Sequence, residues 1–137
     1  YIPEMCGMFQ YEVAERICEQ EGSKKYGIIS VITQAYYNTS FLFEVHNSLF
    51  TPSPKVNSAV ISLKRKENIN LNCDEKLFLK IVKLSFQQRR KTIRNSLKQI
   101  NLSDNLREHI IFDKRPEQLS VNQFIDLTNL VSQDLNN

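Results

Sequence analysis

The order of strand-like and helix-like segments constrains the fold of this chain more than any other feature of its sequence. Five segments in the first half carry these patterns in turn: MCGMFQ, YEVAERICEQEG, SKKYGIISVITQAYYN, FLFEV and VNSAVISLKRK. Strand composition or alternation marks the first, fourth and fifth, and helical spacing marks the two between them. The resulting β-α-α-β-β order predicts an α/β sheet. Because so few strands cannot cover both faces of such a sheet, we expect further strands upstream of Tyr1.

The second half of the sequence has helical patterns throughout. The polar stretch ENINLNCDE has the composition of a linker, and Asn72 followed by Glu75 fits the start of a helix. We therefore expect a domain boundary near residues 66–72. Ser103 and Ser120 are expected N-caps. Four helices are predicted: Asp74 to about Gln88, about Lys91 to Ile100, Ser103 to Ile111, and Ser120 to about Ser132.

Composition excludes several classes of protein. With 41% hydrophobic and 24% charged residues, the chain is expected to be a folded, helix-rich protein. Its apolar stretches fall short of the roughly 20 residues that span a bilayer, and its first residues show no secretory leader. Three cysteines without a C-x-x-C pair indicate reduced thiols in the cytoplasm. The two histidines lie far apart, so no metal site is expected.

Positive charge is concentrated in one segment. Net charge is only +3. Between Lys76 and Ser103, however, there is no Asp or Glu, and the basic residues stand at positions 76, 80, 83, 89, 90, 91, 94 and 98. Such an uneven charge distribution indicates a partner that carries phosphates.

The basic residues of this segment can be projected onto one continuous helix. At about 100° per residue, all of them except Arg89 fall on one face, opposite the apolar residues. Either the helix breaks between Gln88 and Thr92, which we favour, or Arg89 pairs with a carboxylate from another helix. A solvated face would mix both signs of charge, so an anionic partner is the favoured interpretation. Nucleic acid is favoured over an acidic membrane surface.

The stretch LFTPSPKV, Leu49 to Val56, is a second candidate site. Its two prolines hold the chain extended just before a predicted strand. Phe50 could pack into the core, which spacing alone favours, or it could be a platform on which a base stacks. In the second interpretation, Lys55 would bind a neighbouring phosphate.

These two motifs together resemble a known family. FTPSPKVNSAVISL followed by FQQRRKTIRNSL is similar to the bacterial small-subunit rRNA adenine dimethyltransferases of the kasugamycin-sensitivity type. The resemblance extends over nearly the whole chain, through the following further segments: MFQYEVAERI, GSKKYGIISVITQAYYN and RPEQLSVNQFIDLTNLV.

The resemblance implies an S-adenosylmethionine-dependent enzyme that acts during ribosome biogenesis. Such an enzyme dimethylates the exocyclic amines of two adjacent adenosines in the 3′-terminal hairpin of 16S rRNA. The implied fold is the remnant of a Rossmann-like methyltransferase sheet in residues 1–67, followed by a small all-α, rRNA-binding domain in residues 68–137. The family's Gly-rich cofactor loop and Asn-Leu-Pro-Tyr catalytic motif do not occur in this sequence. We therefore expect the C-terminal half of such an enzyme, without cofactor-binding residues and inactive alone.

The resemblance also assigns roles to single residues. Phe50 matches the phenylalanine that helps hold the flipped-out adenine. Arg89, Arg90, Lys91 and Arg115 match residues that contact rRNA. The remaining predicted RNA-binding residues are Lys55 beside Phe50 and three further members of the basic segment: Lys83, Arg94 and Lys98.

The implied partners are small-subunit rRNA and the immature small ribosomal subunit, bound by a cytoplasmic monomer. Four departures from the family pattern are Tyr11, His46-Asn47, Ser53 and Gln87. Two other functions stay open. One is a basic RNA-binding module without catalysis. The other is a sibling function, either large-subunit rRNA methylation or a mitochondrial transcription factor of the same fold. The segment RRKTIRNS favours the small-subunit enzymes over these siblings.

Overall fold

A computed structural model describes residues 4–67 and 71–136. Within these ranges the chain forms three strands, six α-helices and three short 3₁₀ turns. The strands are β1 (Glu4–Gln10), β2 (Tyr37–Val45) and β3 (Ser58–Arg65). The helices are α1 (Tyr11–Cys18), α2 (Ile28–Tyr36), α3 (Glu75–Gln87), α4 (Ile93–Ser96), α5 (Asp104–Arg107) and α6 (Val121–Leu135). The 3₁₀ turns are Asn47–Leu49, Ile110–Asp113 and Pro116–Gln118.

The three strands form one sheet in the order β1-β3-β2. Because β3 is antiparallel to both neighbours, β1 and β2 run in the same direction, and α1 and α2 connect them. The central row of the sheet pairs Gly7 with Ile61 and Ile61 with Phe41. The predicted order β-α-α-β-β is confirmed.

The two faces of the sheet differ in how they are covered. On one face, Ala59, Ile61 and Leu63 of β3 are buried and form a small core with Ala14 and Ile17 of α1. This burial follows the predicted alternation along β3, because successive side chains of a strand point to opposite faces. On the other face, Val60 and Ser62 of β3 are only partly buried.

The larger hydrophobic core joins α2 to the helical second half. Val31 of α2, Phe78 of α3 and Phe124 of α6 are fully buried in it. Burying each of these side chains contributes roughly 1.5–3 kcal/mol relative to leaving it exposed. This core therefore contains residues from both sides of residues 66–72, and the division into two domains at that point stays a prediction.

Two predicted helix starts are confirmed and one is wrong. The Ser103 hydroxyl accepts from the N–H of Leu106 (3.2 Å), and Ser120 forms a capping box with Gln123 (3.2 and 2.9 Å). The cap of α3 is Asp74 rather than Asn72, which has a left-handed backbone (φ 59°). A carboxylate at this position also has a favourable interaction with the positive end of the helix dipole.

The two middle helices are shorter than predicted. The segment expected to be helical from Lys91 to Ile100 contains only the four residues of α4, followed by a turn. Arg107 donates to the carbonyls of Ile100 (2.9 Å) and Leu102 (3.2 Å). These bonds join α5 to the bent backbone that replaces a continued helix. The helix α5 is equally short, and a 3₁₀ turn follows it.

Candidate nucleic-acid interface

The basic motif RRK lies where α3 ends. Residues 88–91 form a turn in which the N–H of Lys91 donates to the carbonyl of Gln88 (2.8 Å). The predicted break is thus confirmed. It also corrects the continuous-helix projection, because only Lys76, Lys80 and Lys83 share a face of α3 and the later cations belong to other elements.

Arg90 and Lys91 are exposed on this turn. Among the described residues, neither forms a salt bridge with an acidic side chain. Lys83, two turns of α3 earlier, is exposed as well. These three cations are accessible to an anionic ligand in the conformation described.

Arg89, between Gln88 and Arg90, points in the opposite direction. It is half-buried, its guanidinium carbon lies 5.5 Å from the centre of the Phe86 ring, and Nη1 donates to the carbonyl of Lys24 (2.5 Å). Its partner is a backbone carbonyl and not the carboxylate considered from the sequence. Arg89 therefore connects the end of α3 to the loop before α2, and its contact with RNA stays a prediction.

Arg94 is also held by contacts within the chain. Nη1 pairs with Asp113 (2.5 Å), while Nε and Nη2 donate to the carbonyl of Arg107 (3.1 and 2.9 Å). These bonds join α4 to α5 and to the following 3₁₀ turn. An RNA contact by Arg94 stays a prediction, as does one by Lys98, which is exposed after α4.

Arg115 is exposed near the start of α4. The N–H of Ile93 donates to the carbonyl of Lys114 (2.8 Å), which brings the backbone of Arg115 close to this helix. The N–H of Arg115 itself donates to the Gln118 side chain (2.9 Å). Folding thus places Arg115 beside the segment that carries Arg90 and Lys91, although the two are far apart in sequence.

Phe50 and Lys55 lie on the loop between β2 and β3. Phe50 follows the 3₁₀ turn Asn47–Leu49 and is half-buried, whereas Leu49 is 75% exposed. In the part of the chain that the structure describes, Phe50 belongs to neither hydrophobic core. This position disfavours the core interpretation of Phe50, and Lys55 is exposed nearby on the same loop.

Asn57, a residue with no role in the sequence prediction, fixes this loop. Its side chain accepts from the N–H of Asn47 (3.0 Å) and donates to Glu44 (2.7 Å). Its carbonyl accepts from the N–H of Tyr11 (2.9 Å). The only signal in the sequence is an asparagine directly after TPSPKV, a residue type that often bonds to nearby backbone.

Among the described residues there is no metal-type cluster of side chains, and the three glycines lie in different elements. Within residues 4–67 and 71–136, His, Cys, Asp and Glu side chains nowhere gather in a group of three that could hold a metal ion. Gly7 lies in β1, Gly22 in a turn and Gly27 before α2, so they do not build one phosphate- or nucleoside-binding loop. The helices of these ranges are too short or too polar to cross a bilayer.

Comparison with known proteins identifies the family. The model of the family "Ribosomal RNA adenine dimethylase" matches residues 2–133. The chain is 63% identical, over 97% of its length, to ribosomal RNA small subunit methyltransferase A of Flavobacterium johnsoniae and covers 51% of that protein. With the enzyme of the same name from Cytophaga hutchinsonii it shares 56% identity over 96% of its length, again covering 51% of the relative.

Solved structures agree with this fold. A crystal structure of a dimethyladenosine transferase from Plasmodium falciparum superposes with a TM-score of 0.85 at 20% identity, over 97% of this chain and 58% of that one. The 23S rRNA methyltransferase ErmE gives a TM-score of 0.57 at 21% identity, over 93% of this chain and 55% of that one. These neighbours indicate part of a Rossmann-like methyltransferase fold.

The chain spans about half the length of the curated relatives it matches. The comparisons confirm the predicted resemblance, without supporting the expectation that the chain is a C-terminal half. The chain belongs to the ribosomal RNA adenine dimethylase family.

Proposed function

We propose that this chain is the RNA-contacting part of an S-adenosylmethionine-dependent rRNA adenine-N6,N6-dimethyltransferase. Its substrate is proposed to be the pair of adjacent adenosines in the 3′-terminal hairpin of 16S rRNA. The observation that carries the proposal is the 63% identity, over 97% of the chain, to a small subunit methyltransferase A.

The Phe50 loop supplies a surface for the target base. An enzyme that modifies a base must first take it out of its stack, and an aromatic ring can replace the lost stacking. The hydrogen bonds of Asn57 connect the two ends of the loop, and Phe50 is outside both cores. We therefore assign to Phe50 the stacking of the flipped-out adenine.

The exposed cations supply affinity for the RNA backbone. Arg90, Lys91 and Lys83 are accessible, and each phosphate that such a residue neutralises releases counterions. The resulting attraction does not depend on sequence. It orients the RNA so that a base can reach the Phe50 loop.

S-adenosylmethionine is proposed as the methyl donor on the basis of the family alone. The scattered glycines of the described residues do not provide a loop that could cradle it. No residue of this chain is therefore assigned to the cofactor. The proposed partners are small-subunit rRNA and the immature small subunit, and the proposed protein is a cytoplasmic monomer.

Methyl transfer by the full-length protein that contains this chain tests the proposal. We expect radiolabel from S-adenosylmethionine to enter unmethylated small subunits, and mass spectrometry to find N6,N6-dimethyladenosine in the 3′ hairpin. Large-subunit rRNA is the matched control, because labelling there would indicate the sibling activity. RNA binding without any incorporation would instead identify a non-catalytic RNA-binding module.

A further inference from the structure

Two contacts attach the loop before α2 to the end of α3, next to the basic turn. The Arg89 guanidinium donates to the carbonyl of Lys24. Tyr26 is fully buried, with its ring centre 6.0 Å from that of Phe86 in an edge-to-face arrangement. The Phe86 ring therefore contacts both Tyr26 and Arg89, which joins the loop to the end of α3.

The other side of this loop is attached near Arg115. The N–H of Gly22 donates to the carbonyl of Glu117 in the 3₁₀ turn that follows Arg115 (2.6 Å). Lys24 thus belongs to a short loop that is bonded to Arg89 on one side and to Glu117 on the other. The loop lies between the two segments that carry the predicted RNA-binding residues Arg90 and Arg115.

The two lysines of the loop differ in how they are engaged. Lys25 pairs with the carboxylate of Glu15, and this hydrogen bond raises the pKa of Lys25. Lys24 is exposed and forms no salt bridge with the acidic side chains of the described residues. Of the two ammonium groups, only that of Lys24 is free to bind a phosphate without first losing an acidic partner.

We propose that Lys24 is a further phosphate-binding residue of the RNA interface, and that Arg89 positions it without itself binding RNA. The inference rests on the proposed function, because it extends the same RNA-binding surface across the loop before α2. In this proposal Arg89 bonds to the loop before α2, whereas Arg90 and Lys91 of the same RRK motif bind RNA.

Binding of an RNA hairpin with the 3′-terminal small-subunit sequence, measured at several salt concentrations with the full-length protein, tests the proposal. Lys24→Ala should weaken binding by about fivefold at about 0.1 M salt and reduce the salt slope by about 0.7, the values for one lost phosphate contact. Lys25→Ala is the matched control and should change affinity less than about twofold, because Glu15 already occupies that ammonium group.

Arg89→Met tests positioning, because methionine keeps an apolar side chain over Phe86 but cannot bond to the Lys24 carbonyl. We expect the same weakening and the same reduced slope as for Lys24→Ala, and no further loss in the double variant, since both changes remove one contact. An unchanged slope in Lys24→Ala overturns the proposal. Additive losses in the double variant overturn the positioning role, because Arg89 would then bind RNA itself.

Arg90→Ala separates this inference from the proposed function. If Arg90→Ala weakens binding and Lys24→Ala does not, the loop is outside the interface while the basic turn remains in it. If neither variant changes affinity or slope, the RNA-binding surface proposed for this face of the protein is wrong as a whole, and the inference fails with it.

Discussion

The side-chain oxygen of Asn57 accepts a hydrogen bond from the backbone N–H of Asn47, 3.0 Å away. This bond joins the residue before β3 to the 3₁₀ turn that precedes Phe50. Since the same side chain also donates to Glu44 of β2, one asparagine closes the base of the whole loop. We therefore expect the position of Phe50 to depend on the side chain of Asn57.

Asn57→Ala should reduce methyl transfer more than it reduces the stability of the fold. The loss of two side-chain hydrogen bonds should lower the free energy of unfolding by about 1–2 kcal/mol. Methyl transfer by the full-length protein should fall further, by at least about tenfold, because a misplaced Phe50 ring no longer meets the flipped base. Steady-state kinetics and chemical denaturation measure the two effects. Asn101→Ala, at an exposed position between α4 and α5, is the control and should affect neither.

Phe50→Ala should lower turnover by about ten- to a hundredfold, since stacking of one base on an aromatic ring contributes about 1–3 kcal/mol. Unfolding free energy should change by less than about 1 kcal/mol, because Phe50 is outside both cores. Phe50→Tyr should keep most of the activity and Phe50→Leu should not. A large fall in melting temperature with normal turnover would show that Phe50 is a packing residue.

Arg94→Ala should lower the free energy of unfolding by more than it lowers the free energy of RNA binding. Its guanidinium makes two hydrogen bonds to the Arg107 carbonyl, and losing these charged bonds should lower the unfolding free energy by about 1–3 kcal/mol. The pair with Asp113 adds little, because both side chains are substantially exposed. Arg90→Ala is the matched control and should leave stability within about 0.5 kcal/mol. Equal stability of the two variants would contradict the assigned role of Arg94.

Asp134 should give a pH-dependent contribution to stability. The hydroxyl and the N–H of Ser103 both donate to its carboxylate (2.5 and 2.8 Å), and these hydrogen bonds lower the pKa of Asp134. A lowered pKa in the folded state stabilises the fold at neutral pH, and the contribution is lost as pH falls below the unfolded value of about 3.9. The stability difference between wild type and Asp134→Asn, followed by denaturation from pH 7 downward, should therefore shrink in acid. A constant difference across that range would show that the two hydrogen bonds do not depend on ionisation.

Local signals in the sequence predicted the local parts of the structure. The capping box of Ser120 and Gln123 needs only residues three apart, and the alternation in β3 needs only its own side chains. The helix break after α3 was predicted for a similar reason, since Arg89 did not fit the apolar face of one continuous helix.

Other features depend on residues far away in the chain, and the sequence could not indicate them. The carbonyl of Asn57 accepts from the N–H of Tyr11, at the ends of two paired strands, and Arg89 bonds to the carbonyl of Lys24, 65 residues before it. The charge of the basic segment indicated an exposed cationic surface. It could not show which arginines turn inward, because Arg89 and Arg94 find their carbonyl partners in other elements.

The order β1-β3-β2 has a consequence for synthesis on the ribosome. Glu4 pairs with Lys64, so β1 has no partner in this sheet until about sixty further residues have been added. At roughly 5–20 residues per second, that interval is about 3–12 s. During this interval, Met8 of β1 and Phe43 of β2 lack the strand residue that pairs with both of them, Val60 of β3. Both side chains are still 53% and 55% exposed in the finished fold. The nascent chain therefore carries an unpaired strand edge until its central strand arrives.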